Sequence, residues 1–252
     1  MYPIGIMVLV LVASPFYASG QMFRGGLEAG LTASQASQDK AGGFDKLGWY
    51  ASVFTNMDIS ENARLQLELM YIQKGSRDFF DPHHEEHQND KNLPFFGKQE
   101  NNDEPPEDPY RDYKLYLHYV EIPLVLQFDF SAVTRLPHID QLTGEFGLSV
   151  STVVGHFEED KKGRNITEYM AAQQPFHFAE LNLLAGLLYP ITDQLNFHVR
   201  FSQGITPFRP PASEGERHRE WYELYGRWYD WGAFNTVLSF GLSYTFFAED
   251  RE

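Results

Sequence analysis

The chain contains no cysteine. That excludes a disulfide framework and thiol catalysis, but it does not place the compartment, because exported proteins need not carry disulfides. Beyond the N-terminus there is no run of twenty apolar residues, which excludes a helical membrane bundle. Basic residues are scarce: 20 Lys and Arg stand against 35 Asp and Glu, for a formal net charge of -15. Such a balance argues against nucleic acid as a partner, since phosphate binding needs basic patches. It reads instead as the solubility of exposed surface.

Lys and Arg are missing altogether from residues 1–20. This segment nevertheless has a short apolar core, Ile4 to Val12, and a small-x-small cleavage site at Ala18-Ser19-Gly20. Residues 1–20 therefore read as a signal peptide, with Gln21 as the mature start, and the missing positive n-region is a departure from the usual pattern. A buried N-terminal helix is the rival reading, and Pro15 and Gly20 oppose it.

What the chain does have is aromatics, at 15%, and alternation. From Phe234 to Phe247, Phe234, Thr236, Leu238, Phe240, Leu242, Tyr244 and Phe246 alternate with Asn235, Val237, Ser239, Gly241, Ser243 and Thr245. This is a strand with one apolar and one small or polar face. It exceeds the common strand length of about 5–6 residues and suffices for a tilted membrane strand of about 9–11. Seven further segments share the pattern: Phe23 to Ala33, Leu47 to Met57, Arg64 to Lys74, Tyr116 to Phe130, Leu142 to His156, Ala179 to Tyr189 and Leu195 to Gln203. Eight is an even number, as bacterial barrels require.

Connection lengths alternate as well. The links Asp58–Asn62, Pro190–Asp193 and, at moderate length, Ser131–Gln141 are the shorter set. The links Gln35–Lys46, Gly75–Asp112, Phe157–Gln174 and Thr206–Gly232 are longer. This predicts an all-β fold: an eight-stranded antiparallel up-and-down transmembrane β-barrel with long extracellular loops and short periplasmic turns. A Greek-key sandwich would not alternate this way. A soluble ligand-carrying barrel would turn its apolar face inward, whereas here the polar face carries Arg24, Glu28, Glu68, Lys74, Glu121, Glu145, Glu180 and Arg200. The reading adopted places these charges in the lumen as structural ion pairs. An eight-stranded interior is just wide enough for side chains to fill it, so no open pore is expected. A proton or ion path is the alternative use of the same charges. Pro123, inside a strand, predicts a local bulge.

Tyr71-Ile72-Gln73-Lys74-Gly75-Ser76, followed after a long loop by Leu117-His118-Tyr119-Val120-Glu121-Ile122-Pro123-Leu124, resembles the PorT-type outer-membrane β-barrel family of the Bacteroidota. That family pairs a Y-x-x-K-G strand end with a Y-[LIV]-E-[LIV]-P-[LIV] strand. Gly25 to Gly30, Gly42 to Trp49 and Gly144 to Gly147 add to the match, which covers Gln21 to Phe247. The resemblance implies an outer-membrane location and a small barrel. It brings no catalytic residues, and a link to secretion is not carried over. The expected domains are a signal peptide 1–20, a barrel 21–247 and a C-terminal tail 248–252, where the tail and the long third loop depart from the family.

Three clusters stand out as candidate sites. His83 and His87, with His84 between them, lie in Asp81–His87 at i, i+4, but the zincin H-E-x-x-H pattern is absent. The surrounding 77–112 stretch has the composition of a solvated acidic loop. Trp221, Leu224, Tyr225 and Trp228 follow helical spacing beside Arg227 and read first as an interfacial belt, second as a binding platform. His156, His177, Ser213 and His218 are the candidates for an outer-membrane lipid- or peptide-modifying enzyme, yet no G-x-S-x-G motif accompanies them. No residue is assigned as catalytic, cofactor-binding or metal-ligating, and no cofactor is expected. The expected function is a non-enzymatic barrel displaying loops for binding or as an accessory of an envelope or secretion complex. Its expected partners are outer-membrane lipids and, during biogenesis, the barrel-assembly machinery, through Tyr244, Phe246 and Phe247.

Overall fold

The computed structural model describes residues 23–37, 44–77, 114–132, 134, 136, 138–159, 165–168, 175–210 and 232–246. They form eight antiparallel strands: β1 (Phe23–Ala36), β2 (Lys46–Ser60), β3 (Ala63–Arg77), β4 (Lys114–Asp129), β5 (Thr143–Glu159), β6 (Glu180–Pro190), β7 (Leu195–Gly204) and β8 (Asn235–Thr245). Each strand pairs with its sequence neighbour, and β8 pairs with β1, so the sheet closes on itself. Closure removes the sheet edges that lipid could not satisfy.

Period-two alternation dictates what each face becomes. Leu27, Leu31, Val53, Leu69, Ile122, Leu148 and Phe240 are exposed on the outside, while Glu28, Glu68, Glu121, Glu145, Glu180 and Arg200 are buried within. A soluble carrier reverses this arrangement, so the ligand-carrying barrel is set aside. The expected strands are all present and most extend further, because the ladders continue past the last apolar residue. The closing strand is the exception: it runs Asn235–Thr245 and not Phe234–Phe247, and Phe234 is buried at its mouth.

Register fixes the tilt. A circuit of paired residues from Arg24 passes Asn56, Gln66, Val125, Gly147, Leu184, Ser202 and Val237, and returns to β1 at Ser34. The ten-residue offset from Arg24 to Ser34 is the stagger that closes a barrel with strands inclined by roughly 35–45°.

The bulge expected at Pro123 is not there. The pairing with β5 runs unbroken through Pro123↔Ser149. The ladder to β3 lapses between Leu67↔Leu124 and Met70↔Glu121 but resumes in the same register. The proline thus costs ladder bonds on one side without inserting a residue. The bulge lies higher, between His118 and Tyr119, which pair with Gly155 and Val153 and leave Val154 unmatched. Its consequence is a change of parity. Ser149 and Ser151 are buried below it, and Glu158 is buried above it.

Candidate functional site: an ion-paired lumen

The lumen is filled in layers. The middle layer is organised by Arg200 on β7. Its guanidinium donates from Nη1 and Nη2 to the two Glu68 carboxylate oxygens at 2.9 and 2.6 Å. It also donates from Nε and Nη2 to Glu145 at 2.5 and 3.1 Å. One planar fork therefore grips carboxylates on β3 and β5, a task that suits arginine and not lysine. His198, two residues before it on the same face, bridges Glu28 through Nδ1 and Glu145 through Nε2, the latter at 2.8 Å. The Tyr50 hydroxyl donates to Glu28 at 2.7 Å. Tyr50 reaches that position because its ring lies over Gly30 and Gly241, where any Cβ would collide with it. Below, Gln66 donates to Glu68 at 2.8 Å and Gln127 donates to Gln66 at 3.2 Å.

A second polar layer sits toward the long-loop end. Lys74 Nζ is 2.9 Å from Glu121 Oε2 and fully buried, with the Tyr119 ring 4.7 Å away. Ser149 donates to Glu121, and Asn182 donates to Ser149 and Ser151. Asn235 holds Glu180 and the Tyr119 hydroxyl, each at 3.0 Å. The expected ion pairs of Glu68, Glu121 and Glu145 with Lys74 and Arg200 are thus formed, while Arg24 pairs with Asp58 near the short-turn end.

Between and above these layers the interior also holds apolar side chains. Leu115, Leu117, Tyr119, Ile72, Met70 and Val237 form one buried cluster with Phe208. The segment after β7 folds inward to complete it. Phe208 donates its N–H to Ala233 O at 2.8 Å, Phe176 stacks on Phe208 at 6.2 Å, and Arg209 lies 4.0 Å over Phe176 while pairing with Glu158. The short-turn end stays open: a polar cavity of about 460 Å³ is lined by Arg24, Asn56, Arg64, Gln127, Asp129 and Asn196. Gln66 and Gln127 of the layer above also line this vestibule.

The remaining sequence candidates divide. The His156 ring lies 4.6 Å from that of Phe176, and His177 Nδ1 meets Pro207 O at 2.8 Å. The two come to the same rim, but among the described residues neither bonds a nucleophile. Ser213, His218, the Asp81–His87 cluster, the Trp221–Trp231 cluster, the 1–20 segment and the 248–252 tail lie outside the described residues. His198, Tyr119 and Asn182 fall within the segments that alternation marks as strands, but the sequence alone gives them no role in the lumen. It also gives no place to Leu117, which lies inside the expected Tyr116 to Phe130 strand on the face of Tyr119 and Glu121, or to Leu115, one residue before that strand.

No curated protein matches the chain. Among solved structures, it overlays the attachment invasion locus protein Ail of Yersinia pestis, in complex with the heparin analogue sucrose octasulfate, at 8% identity. That match covers 89% of this chain and 99% of that one, with a TM-score of 0.40. Neisserial surface protein A matches at 14% identity over 90% and 99%, with a TM-score of 0.40. A major outer membrane protein from Thermus thermophilus matches at 11% over 89% and 100%, with a TM-score of 0.43. Likenesses at this distance carry no inference about activity or ligand. The family model described as outer membrane protein beta-barrel domain matches residues 15–209; with its closed eight-stranded sheet, apolar outside and polar inside, the chain belongs to that family, and its place is the outer membrane.

Proposed function

We propose that the protein is a closed, non-enzymatic outer-membrane barrel. On this reading it is a rigid scaffold whose long connections are displayed outside the cell for binding, or as an accessory of an envelope or secretion complex. The observation that carries the reading is the Arg200 layer. Glu68, Glu145, His198 and Arg200 are each at most 3% exposed and bonded to one another across the lumen, and an apolar plug lies above them. A pore needs a continuous hydrated path, and a site for chemistry needs access to its reactive groups; this interior supports neither. The Tyr71–Gly75 and Tyr119–Leu124 motifs support the finer placement in the PorT-type group. The short turns then face the periplasm, residues 1–20 act as the export signal, residues 21–247 are the barrel, and 248–252 are a tail. Tyr244 and Phe246, exposed at the end of β8, would be read by the barrel-assembly machinery.

Crosslinking and purification from native membranes test the display role. The comparison is between the full chain and one in which residues 78–113 and 211–231 are replaced by short turns, with heat-modifiable gel migration reporting that both are folded. The reading predicts a partner recovered with the full chain and lost with the shortened one. Identical partners from both would overturn it.

A further inference from the structure

The outer surface carries a feature that a uniform lipid-facing wall does not need. Ala29 and Ala51 are register partners, and Ala51 pairs in turn with Tyr71. Two small side chains side by side leave a groove of about 500 Å³ walled by Leu27, Val53, Leu69 and Val120, with Tyr71 lining its upper end. Tyr71 also belongs to a second feature. Its hydroxyl meets His118 Nδ1 at 2.5 Å, its ring lies 4.7 Å from that of Trp49, and Gln73 pairs with His118 in register. Polar groups on a lipid-facing wall are costly unless they meet the headgroup layer. Further up the same two strands, Arg77 and Lys114 are register partners and bring positive charge to a strongly acidic chain. Glu159 lies 3.6 Å from Lys114.

We propose that this column is a binding site for one acyl lipid with a phosphorylated headgroup, in the leaflet at the long-loop end. An acyl chain fills the Ala29–Ala51 groove, Tyr71 and Trp49 mark the boundary, and His118 and Lys114 favour the anionic head. The groove and the polar column are independent observations that meet at Tyr71. The occupant is a lipid and not a protein helix because the groove is lined by apolar side chains, and Tyr71 at its upper end joins it to the hydrogen-bonding and cationic groups His118 and Lys114.

Native mass spectrometry of the folded protein, released from nanodiscs of equal phosphatidylglycerol and phosphatidylcholine, tests the proposal. The wild type should retain a single lipid, with phosphatidylglycerol favoured several-fold. Ala51→Leu fills the groove from the lipid side and should abolish retention of both lipids while heat-modifiable migration stays normal. Lys114→Ala with His118→Ala should keep the retention and lose the preference. Added inorganic phosphate should not displace the lipid. Undiminished retention in Ala51→Leu, no preference in the wild type, or displacement by phosphate alone would each overturn it.

Discussion

Arg200 and Glu68 face each other from β7 and β3, strands four apart in a ring of eight, and two hydrogen bonds of 2.9 and 2.6 Å join them straight across the lumen. No backbone ladder connects these strands directly, so the side-chain bridge ties opposite walls of the barrel together. Removing the cation leaves Glu68 and Glu145 buried without their shared partner, a loss that typically costs about 3–5 kcal/mol. Arg200→Leu should therefore lower the urea midpoint for unfolding from lipid vesicles. Adding Glu68→Gln and Glu145→Gln should restore much of the loss, because the stranded charges are gone. If Arg200→Leu left the midpoint unchanged, the network would not be structural.

Gly241 holds the floor on which Tyr50 lies. A Cβ there would stand 2.3 Å from the Tyr50 hydroxyl oxygen and 2.5 Å from Ala29 O. Gly241→Val should push Tyr50 off Glu28, and a buried carboxylate that loses a donor costs about 1–3 kcal/mol. Gly155→Ala is the matched control, since its nearest neighbour is a His118 carbon at 3.5 Å. Unfolding midpoints should separate the two variants clearly; equal values would contradict the packing described.

Adjacent residues at the end of β8 test the two faces. Phe246 is exposed beside Tyr244, with their rings 5.7 Å apart, while Thr245 lines the polar vestibule. A charge on the lipid face is penalised according to its depth. Phe246→Asp should reduce the folded, heat-modifiable form in membranes, and Thr245→Asp should leave it near normal. Equal levels of both variants would contradict the assignment of faces.

Strand parity made the inside and outside of this barrel readable before any coordinates. Glu28, Glu68, Glu121, Glu145, Glu180 and Arg200 all lie on the face that alternation assigned them. Which carboxylate meets which cation was not readable, because Arg200 and Glu68 are 132 residues apart and meet only through the ring order and stagger of all eight strands. Proline removes a ladder donor, and that alone pointed to a bulge at Pro123. The sheet absorbs the loss in register, and it is the parity change near Val154 that requires an extra residue. The apolar plug was missed for a local reason: Leu115 precedes the expected β4 segment by one residue, and Leu117 is an apolar residue on a face that elsewhere carries polar ones, so polarity did not mark it.

Single-channel recording in planar bilayers tests the closed barrel most directly. The buried Arg200 layer and the Leu115–Leu117–Tyr119 plug predict no conductance steps from the inserted wild-type protein. The Arg200→Ala, Tyr119→Ala double variant opens both layers, and its folded, heat-modifiable fraction should raise leak. Stable, ion-selective steps from the wild type would contradict the account.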